Sequence, residues 1–330
     1  FSGLDPSTTP AADYADAIVG DFYYNSTTGQ FKTVNDGGAP IGTWSSGGNM
    51  NTGRYRLMGG AGSVPAGLIV GGYAPSAPAA SNAVEQYDGS SWTSAPNYPS
   101  SETDIATTGG YNAALSAGGG PSSPALSTAT NHWNGSSWTA GGALPAGRSR
   151  MPLLGISTAA LGVGGAGPPG ETYVNKTLEY NGSSWSEGGD LDTVLANGGC
   201  SGTQTAGFSF GGYTPSNSNQ AQQYNGTAWT ETTSLNSPRG ESMFSVHGTQ
   251  SSSIISQGGS PYSQAVNEAW NGTAWTEIAD VSNGRSSGGS VGTATAMFDA
   301  GGILPTSPPT LTATEEFSAA DFQIKSVTTS

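Results

Sequence analysis

The sequence has little of the chemistry on which many protein functions depend. It contains one cysteine, Cys200, and two histidines, His132 and His247, in 330 residues. One cysteine excludes an intrachain disulfide and a cysteine-based metal cluster, and we expect Cys200 to be a small buried residue. Charged residues make up only 10% of the chain, and 9 Lys and Arg against 23 Asp and Glu give a net charge of −14. Such a protein would repel a phosphate backbone, so we expect no nucleic-acid binding.

Long apolar runs and catalytic motifs are also missing. No run approaches the roughly 20 apolar residues of a membrane helix, so we expect no membrane insertion. The sequence has no HExxH, no Gly-x-Ser-x-Gly elbow and no Cys/His cluster, which predicts no metal, no cofactor and no enzymatic activity. The acids Glu102, Asp104, Asp190 and Asp192 are interpreted as solvated loop residues. The chain starts without Met or a signal-peptide pattern, so we expect a processed product.

What the sequence does contain is a repeat. The segment WNGSSW at 133–138 recurs as YDGSSW, YNGSSW, YNGTAW and WNGTAW. A second marker, a Gly pair, falls at 71–72, 118–119, 164–165, 211–212, 258–259 and 301–302. Both markers keep a spacing of about 47 residues, which indicates a repeat architecture. A repeat Trp closes each of the five copies, and a sixth precedes them without the NGSSW pattern, so that the repeat Trp residues are Trp44, Trp92, Trp138, Trp185, Trp229 and Trp275.

Each repeat unit is predicted to form four β-strands. A short apolar segment such as GLIV or AALGV precedes each Gly pair, and a variable Pro/Ser/Asn-rich loop follows it. A strand ending in Tyr or Trp, an Asn-Gly turn and a strand opening with Trp complete the unit, because Asn-Gly favours a tight hairpin. A four-stranded sheet cannot cover both of its own faces, so neighbouring units must. The sequence therefore predicts an all-β fold, a closed six-bladed β-propeller.

The first and last strands of the ring are predicted to share one blade. Trp44 has no Gly pair before it, whereas the last unit has a Gly pair and a third strand but no NGSSW. We therefore expect the strand around residues 42–45 to complete the last blade, although Asp321–Val327 is an alternative. The domain prediction is an attachment segment with a β-hairpin at 1–40, a propeller at 41–318 and a tail at 319–330.

Two sets of repeated side chains raise the question of structure against function. Repeated aromatics at one phase are expected to fill the layers between blades, as the dense packing of protein interiors requires. Exposed loop aromatics are the better candidates for ligand contact, namely Tyr73, Tyr98, Tyr213 and Tyr262. Four of the six Arg residues stand ten positions after a repeat Trp: Arg54, Arg148, Arg239 and Arg285. They are interpreted as donors to carbonyls of the adjacent blade's turn, with an anion- or sugar-binding ring as the alternative.

The unit resembles the kelch family, which carries a di-glycine at the end of the second strand, an aromatic in the third and a Trp in the fourth. The resemblance covers roughly residues 42–318. Glu85 and Glu268 match a Glu that kelch units carry two residues before the third-strand aromatic, whereas Asn131, Leu178 and Gln222 depart from it. This resemblance implies a fold and leaves activity open.

VGDFYYNSTTGQFK, the tandem WNGSSWT units and the ending TEEF…KSVTTS together resemble virion structural proteins of tailed phages, especially those of marine cyanophages. The resemblance implies a non-enzymatic tail, fibre or capsid-associated protein on the virion surface. Its partners would be neighbouring subunits, held through residues 1–40, and host-surface polysaccharide. Two alternatives stay open: a secreted carbohydrate-active enzyme or lectin, and a bacterial surface-layer or filament subunit.

Overall fold

The structure is a computed structural model that describes residues 22–25, 30–33, 42–75, 79–120, 126–169, 171–241, 248–258, 264–304 and 310–319. Every regular element among these residues is a β-strand. No helix in the described part of the chain is long and apolar enough to cross a membrane. The chain divides into two units, Phe1–Ile41 and Gly42–Ser330. In the first unit, Phe22–Asn25 and Gln30–Thr33 form an antiparallel hairpin.

In its described residues the second unit contains six blades of four antiparallel strands each, which we number 1 to 6, and the sheet of blade 2 has a fifth, parallel strand. In each blade the strands run in order from the innermost, first strand to the outermost, fourth strand. Blades 1 and 2 consist of Ala61–Ser63, Ala66–Val70, Val84–Tyr87 and Trp92–Ala95, then Ala106–Gly110, Ala113–Ala117, Thr130–Trp133 and Trp138–Ala140. Blades 3 and 4 consist of Leu153–Ile156, Ala159–Val163, Thr177–Tyr180 and Trp185–Glu187, then Gly199–Thr203, Ala206–Phe210, Ala221–Tyr224 and Trp229–Glu231. Blades 5 and 6 consist of Gly248–Thr249, Ser252–Gly258, Gln264–Trp270 and Trp275–Ile278, then Gly289–Gly292, Ala296–Ala300, Thr314–Ser318 and Thr43–Ser46.

Three short strand pairings accompany the four-stranded blades. Met58–Gly59 precedes the first strand of blade 1 in the chain and pairs in parallel with the first strand of blade 2, as the fifth strand of that sheet. In the loops between second and third strands, Tyr73–Ala74 pairs with Ala79–Ala80, and Ala166–Gly167 pairs with Thr172–Tyr173.

The hydrophobic core is divided among the gaps between blades. Each of the six buried clusters combines residues of two neighbouring blades, because one sheet cannot cover its own faces. The cluster that closes the ring joins Tyr87 and Trp92 of blade 1 to Val291 and Phe298 of blade 6. The predicted fold class, a six-bladed propeller, is therefore confirmed.

The strand that closes the last blade comes from the beginning of the propeller. Thr43–Ser46 pairs antiparallel with Thr314–Ser318, and Trp44 lies opposite Phe317. The preferred prediction for ring closure is confirmed, and the alternative segment, 321–327, lies outside the described residues. Joining the first strand to the last covers a sheet edge that would otherwise remain unpaired.

The Asn-Gly turns are built as the sequence predicts. In blade 2, Gly135 has φ +93° and the Asn134 carboxamide oxygen accepts the backbone N–H groups of Ser136 and Ser137 at 3.0 and 2.9 Å. Positive φ without steric penalty is the property that glycine supplies here. The turn brings the flanking aromatics together, so that Tyr180 lies opposite Trp185 in blade 3 with ring centroids 4.8 Å apart.

Candidate functional site

Every repeat Trp lies against the preceding blade and donates its indole N–H to it. In three blades the acceptor is a Thr hydroxyl at the start of the preceding blade's third strand, as in Trp229 to Thr177 at 2.8 Å. The other two are Trp92 to Thr314 and Trp185 to Thr130, both at 2.9 Å. Where the preceding blade lacks that Thr, a carbonyl accepts instead, for Trp44 at Ala279, Trp138 at Pro96 and Trp275 at Thr233.

The third-strand tyrosines make a second set of bonds between blades. Tyr224 donates its hydroxyl to Glu179 of blade 3 at 2.7 Å, and Tyr87 donates to Glu316 of blade 6. Burial, and then the hydrogen bond to a carboxylate, raises the pKa of both phenols to about 12. His132 is half-buried and lies 2.8 Å from the Tyr180 hydroxyl, and burial lowers its pKa.

The four repeated arginines are buried, with exposed fractions of 0% to 6%. The guanidinium of Arg148 donates to the Gly164 carbonyl at 2.9 Å, and that of Arg54 donates to the carbonyls of Gly71 and Ala83. These carbonyls belong to the blade that the Arg introduces, whereas the sequence predicted the adjacent blade. Because the side chains are buried, they do not form an exposed ligand-binding ring.

Three of these arginines are paired with a buried Glu in the third strand. Arg54 and Glu85 are 2.9 Å apart and have exposed side-chain fractions of 0% and 2%. The other pairs are Arg239 with Glu268 and Arg285 with Glu315. The other three blades have different residues at the Arg and Glu positions: blade 2 has Glu102 and Asn131, blade 3 has Arg148 and Leu178, and blade 4 has Leu195 and Gln222.

The Gly pairs join the linkers of successive blades. In five of the six blades the second Gly of the pair donates its N–H to the carbonyl of the next blade's residue at the Arg position, with N···O distances from 2.6 to 3.0 Å. A Cβ on the first Gly would meet that same carbonyl, at 2.2 Å between Gly164 and Leu195 and at 2.3 Å between Gly118 and Arg148. Glycine is therefore required at the first position of the pair in these blades, because the two backbones approach each other too closely for a side chain.

Blade 5 departs from this pattern, because Gly258, the first Gly of its pair in the sequence, takes the second position of the motif. Gln257, with φ +56°, occupies the first position and Gly258 the second. The Gln257 side chain accepts the N–H of Arg285 at 3.0 Å and donates to the buried carboxylate of Asp299 at 2.7 Å. A left-handed conformation costs a non-glycine residue about 1 kcal/mol, and these bonds to blade 6 offset that cost.

The axis of the propeller holds a cavity of about 140 Å³. It lies where the innermost strands end, and none of the described residues that line it is ionisable. Each blade contributes one positive-φ glycine at which a Cβ would meet a carbonyl at 1.9 to 2.6 Å. These glycines are Gly62, Gly109, Gly155, Gly202, Gly248 and Gly292. Thr108, Leu154, Ser201 and Val291 supply the side chains of the wall.

The opposite end of the axis is surrounded by a ring that the sequence prediction missed. One non-glycine residue per blade, two positions after the Arg position, has φ between 51° and 59°. Backbone N–H groups join three pairs of them, as in Asp104 to Arg56 at 3.0 Å and Asn197 to Arg150 at 3.2 Å. We call this set the mouth ring: Arg56, Asp104, Arg150, Asn197, Glu241 and Ser287.

The mouth ring contains the two arginines outside the repeated set. The guanidinium of Arg56, 35% exposed, is in direct contact with the carboxylate of Asp104, 4% exposed. Arg150, 26% exposed, lies 3.6 Å from Glu171, which is half exposed. The interpretation of Glu102 and Asp104 as solvated acids was wrong, because both are buried against neighbouring linkers. Burial raises the pKa of Glu102.

The candidate ligand-contact tyrosines fall into three groups. Tyr73 and Tyr213 are half-buried on the face of the propeller formed by the linkers and by the loops between second and third strands, which we call the linker face. Tyr98 is 1% exposed, because its ring packs 5.0 Å from that of Trp138 and its hydroxyl accepts the Asn131 amide at 2.8 Å. The expectation of an exposed Tyr98 was therefore wrong, and Tyr262 lies outside the described residues.

Each half-exposed candidate is paired with a second tyrosine. Tyr55 and Tyr73 meet edge to face with centroids 5.2 Å apart, and Tyr173 and Tyr213 do so at 5.7 Å. The sequence signal that could have drawn attention to this region is the pair of Arg-x-Arg segments, at 54–56 and 148–150. In both, the first Arg is buried and the second reaches the mouth ring.

Comparison with known proteins is informative about the fold alone. No protein-family model matches the chain, and no curated protein matches it. Solved structures do match, among them that of YjhT, with a TM-score of 0.67 over 83% of this chain and 97% of that chain. The chain is a six-bladed β-propeller. Identity to YjhT is 13%, and among the described residues of this propeller no group of three or more His, Cys, Asp or Glu could hold a metal ion.

Proposed function

We propose that the chain is a non-enzymatic structural protein of a virion surface, in which the propeller is a rigid binding module. Residues 1–40 contact neighbouring subunits, and the linker face contacts host-surface glycan. The virion placement is supported by the resemblance of the N-terminal hairpin segment and the tandem WNGSSWT units to tailed-phage structural proteins. The fold is compatible with this placement and with many others, because propellers serve many unrelated functions.

The absence of catalysis is supported by the chemistry of the axis. The axial cavity is lined by glycines, two hydroxyl side chains and two aliphatic ones, so its described walls offer no acid or base for proton transfer. The Ser201 hydroxyl already bonds to the Ser253 hydroxyl and to the Thr249 carbonyl. At the other end, the Asp104 carboxylate is held by Arg56.

A glycan contact is carried by one observation, the two tyrosine pairs on the linker face. Tyr73 and Tyr213 occupy the same position in their blades, directly after the Gly pair. Both remain half-exposed, whereas the repeat aromatics between blades are largely buried. A tyrosine combines an apolar ring with a polar end, which suits a ligand that has both kinds of surface.

Purified particles test the virion placement. We expect mass spectrometry of particles separated from host debris to detect this chain in constant ratio to the major capsid protein across preparations. Antibodies against the propeller should label intact particles, since the protein is displayed on the surface. Loss of the chain on further purification would contradict the proposal, as would turnover of a polysaccharide by the pure protein.

A further inference from the structure

We propose that the linker face binds an uncharged oligosaccharide in two subsites, one at Tyr55 and Tyr73 and the other at Tyr173 and Tyr213, with the mouth ring beside them. This inference rests on the glycan contact proposed above. It adds the residues, the number of subsites and the charge class of the ligand.

The first subsite is built on a fixed backbone. Tyr55 and Tyr73 exchange two backbone hydrogen bonds, at 3.1 and 2.7 Å, so the linker and the loop that carry them are held together. Their rings meet at an interplanar angle of 63°, and both remain half-exposed. A rigid aromatic surface that is already formed loses little entropy when a sugar ring packs on it.

The second subsite is formed by residues at different positions of the repeat. Tyr213 makes the same backbone exchange with Ala196, at 3.1 and 2.7 Å, so that no tyrosine is available at the position of Tyr55. The second ring comes instead from Tyr173 in the loop of blade 3, at an interplanar angle of 80°. A tyrosine pair thus occurs at two places but is formed by residues at different positions of the repeat. The repeated structure of the blades does not by itself explain why both places have a pair.

Hydrogen-bonding groups lie next to both tyrosine pairs. Arg56 follows Tyr55 directly, and Glu171 stands two residues before Tyr173 and pairs with Arg150. A guanidinium carries five donors, of which one carboxylate engages at most two, so partly exposed Arg56 and Arg150 retain donors for sugar hydroxyls. Left-handed backbone conformations hold the ring side chains, and such strained residues cluster at binding sites.

The electrostatics favour a ligand without charge. Arg56 is matched by Asp104 and Arg150 by Glu171, so neither arginine is an uncompensated cation. The net charge of the chain is −14, which repels polyanions such as uronic-acid polymers. An uncharged saccharide avoids this repulsion and still uses the polar groups of the mouth ring.

Calorimetric titration of the full chain with neutral oligosaccharides and with uronic-acid oligomers of equal length tests the inference. We expect neutral oligomers to bind and the acidic oligomers to bind at least about tenfold more weakly. Tyr73→Ala and Tyr213→Ala should each weaken binding about fivefold, the factor that one aromatic contact supplies. Oligomers long enough to span both subsites should bind more tightly than short ones, and either variant should abolish that advantage.

Tyr111→Ala is the matched control, because Tyr111 is half-exposed in the turn between the first two strands of blade 2, at the other end of the strands. Its binding should equal that of the parent, and circular dichroism should show all three variants folded. The inference is overturned by a preference for acidic oligomers, by an equal loss in Tyr111→Ala, or by no binding of any neutral oligomer. These outcomes leave the virion placement standing, since particle composition tests it separately.

Discussion

Removing one member of the buried pair Arg54 and Glu85 should destabilise the propeller more than removing both. The guanidinium and the carboxylate are 2.9 Å apart, and their side chains are 0% and 2% exposed. Burial is the main influence on Arg54 and lowers its pKa, while Glu85 acts in the opposite direction. Glu85→Gln would therefore leave a cation in a site with almost no solvent.

The size of the effect follows from the burial of the pair. Breaking a buried ion pair costs about 3–5 kcal/mol, mostly because the other charge is left without a partner. Replacing both members by neutral residues of similar size is often nearly neutral. The chain contains such a replacement, since blade 4 has Leu195 and Gln222 at the two positions. The backbone bond survives the change: Gln222 accepts an N–H at 3.4 Å, as Glu85 accepts that of Asn51 at 2.7 Å.

Urea denaturation of the parent, Arg54→Leu, Glu85→Gln and the double variant forms a double-mutant cycle. We expect each single variant to lose about 3–5 kcal/mol and the double variant to lie within about 2 kcal/mol of the parent. The reasoning is refuted if Glu85→Gln loses less than about 1 kcal/mol, or if the double variant loses the sum of the two single losses.

Three further changes probe the contacts between blades. Thr177→Val removes the acceptor of the buried indole N–H of Trp229 and should lower the free energy of unfolding by about 1–3 kcal/mol in urea denaturation. Gly164→Ala places a Cβ 2.2 Å from a carbonyl of the next blade and should cost at least about 2 kcal/mol, whereas Gly110→Ala, with no atom within 4 Å of its Cβ, should leave the melting temperature unchanged. The pKa of Tyr224 is raised from 10.0 to about 12, chiefly by burial, so its contribution to stability is complete below pH 10 and is lost as the pH rises through about 12. Tyr224→Phe should therefore reduce the fall in the free energy of unfolding between these pH values, as measured by denaturation curves recorded across that range. An unchanged slope would contradict the assignment.

The candidate site was only partly predictable, and the arginines show why. Their common phase marked a position of importance, but the sequence could not tell that Arg54 turns inward while Arg56 reaches the mouth ring. That difference depends on the left-handed backbone of Arg56 and on Asp104, which stands 48 residues further along the chain. Contacts between equivalent positions of neighbouring blades form only when the blades pack into the ring, so the sequence alone does not predict them.

Tyr98 is a second residue whose environment could not be predicted from the sequence around it. It follows Trp92 in a Pro- and Asn-rich stretch with every local property of an exposed loop, and blade 2 then covers it through Asn131 and Trp138. Blade 5 is a third case, because Gln257 takes a glycine's position only through its bonds to blade 6.

The sequence by itself determined the number of blades, their four strands and the strand that closes the ring. These features follow from short-range signals, namely turn residues and apolar runs of strand length. The signals recur in six units with a period near 47 residues, and this repetition makes them easy to recognise. The tertiary structure alone decided which polar side chains are buried, which tyrosines remain exposed and what surrounds the mouth. Those properties depend on what a neighbouring blade places against a residue, and that blade is supplied by chain roughly one full repeat away.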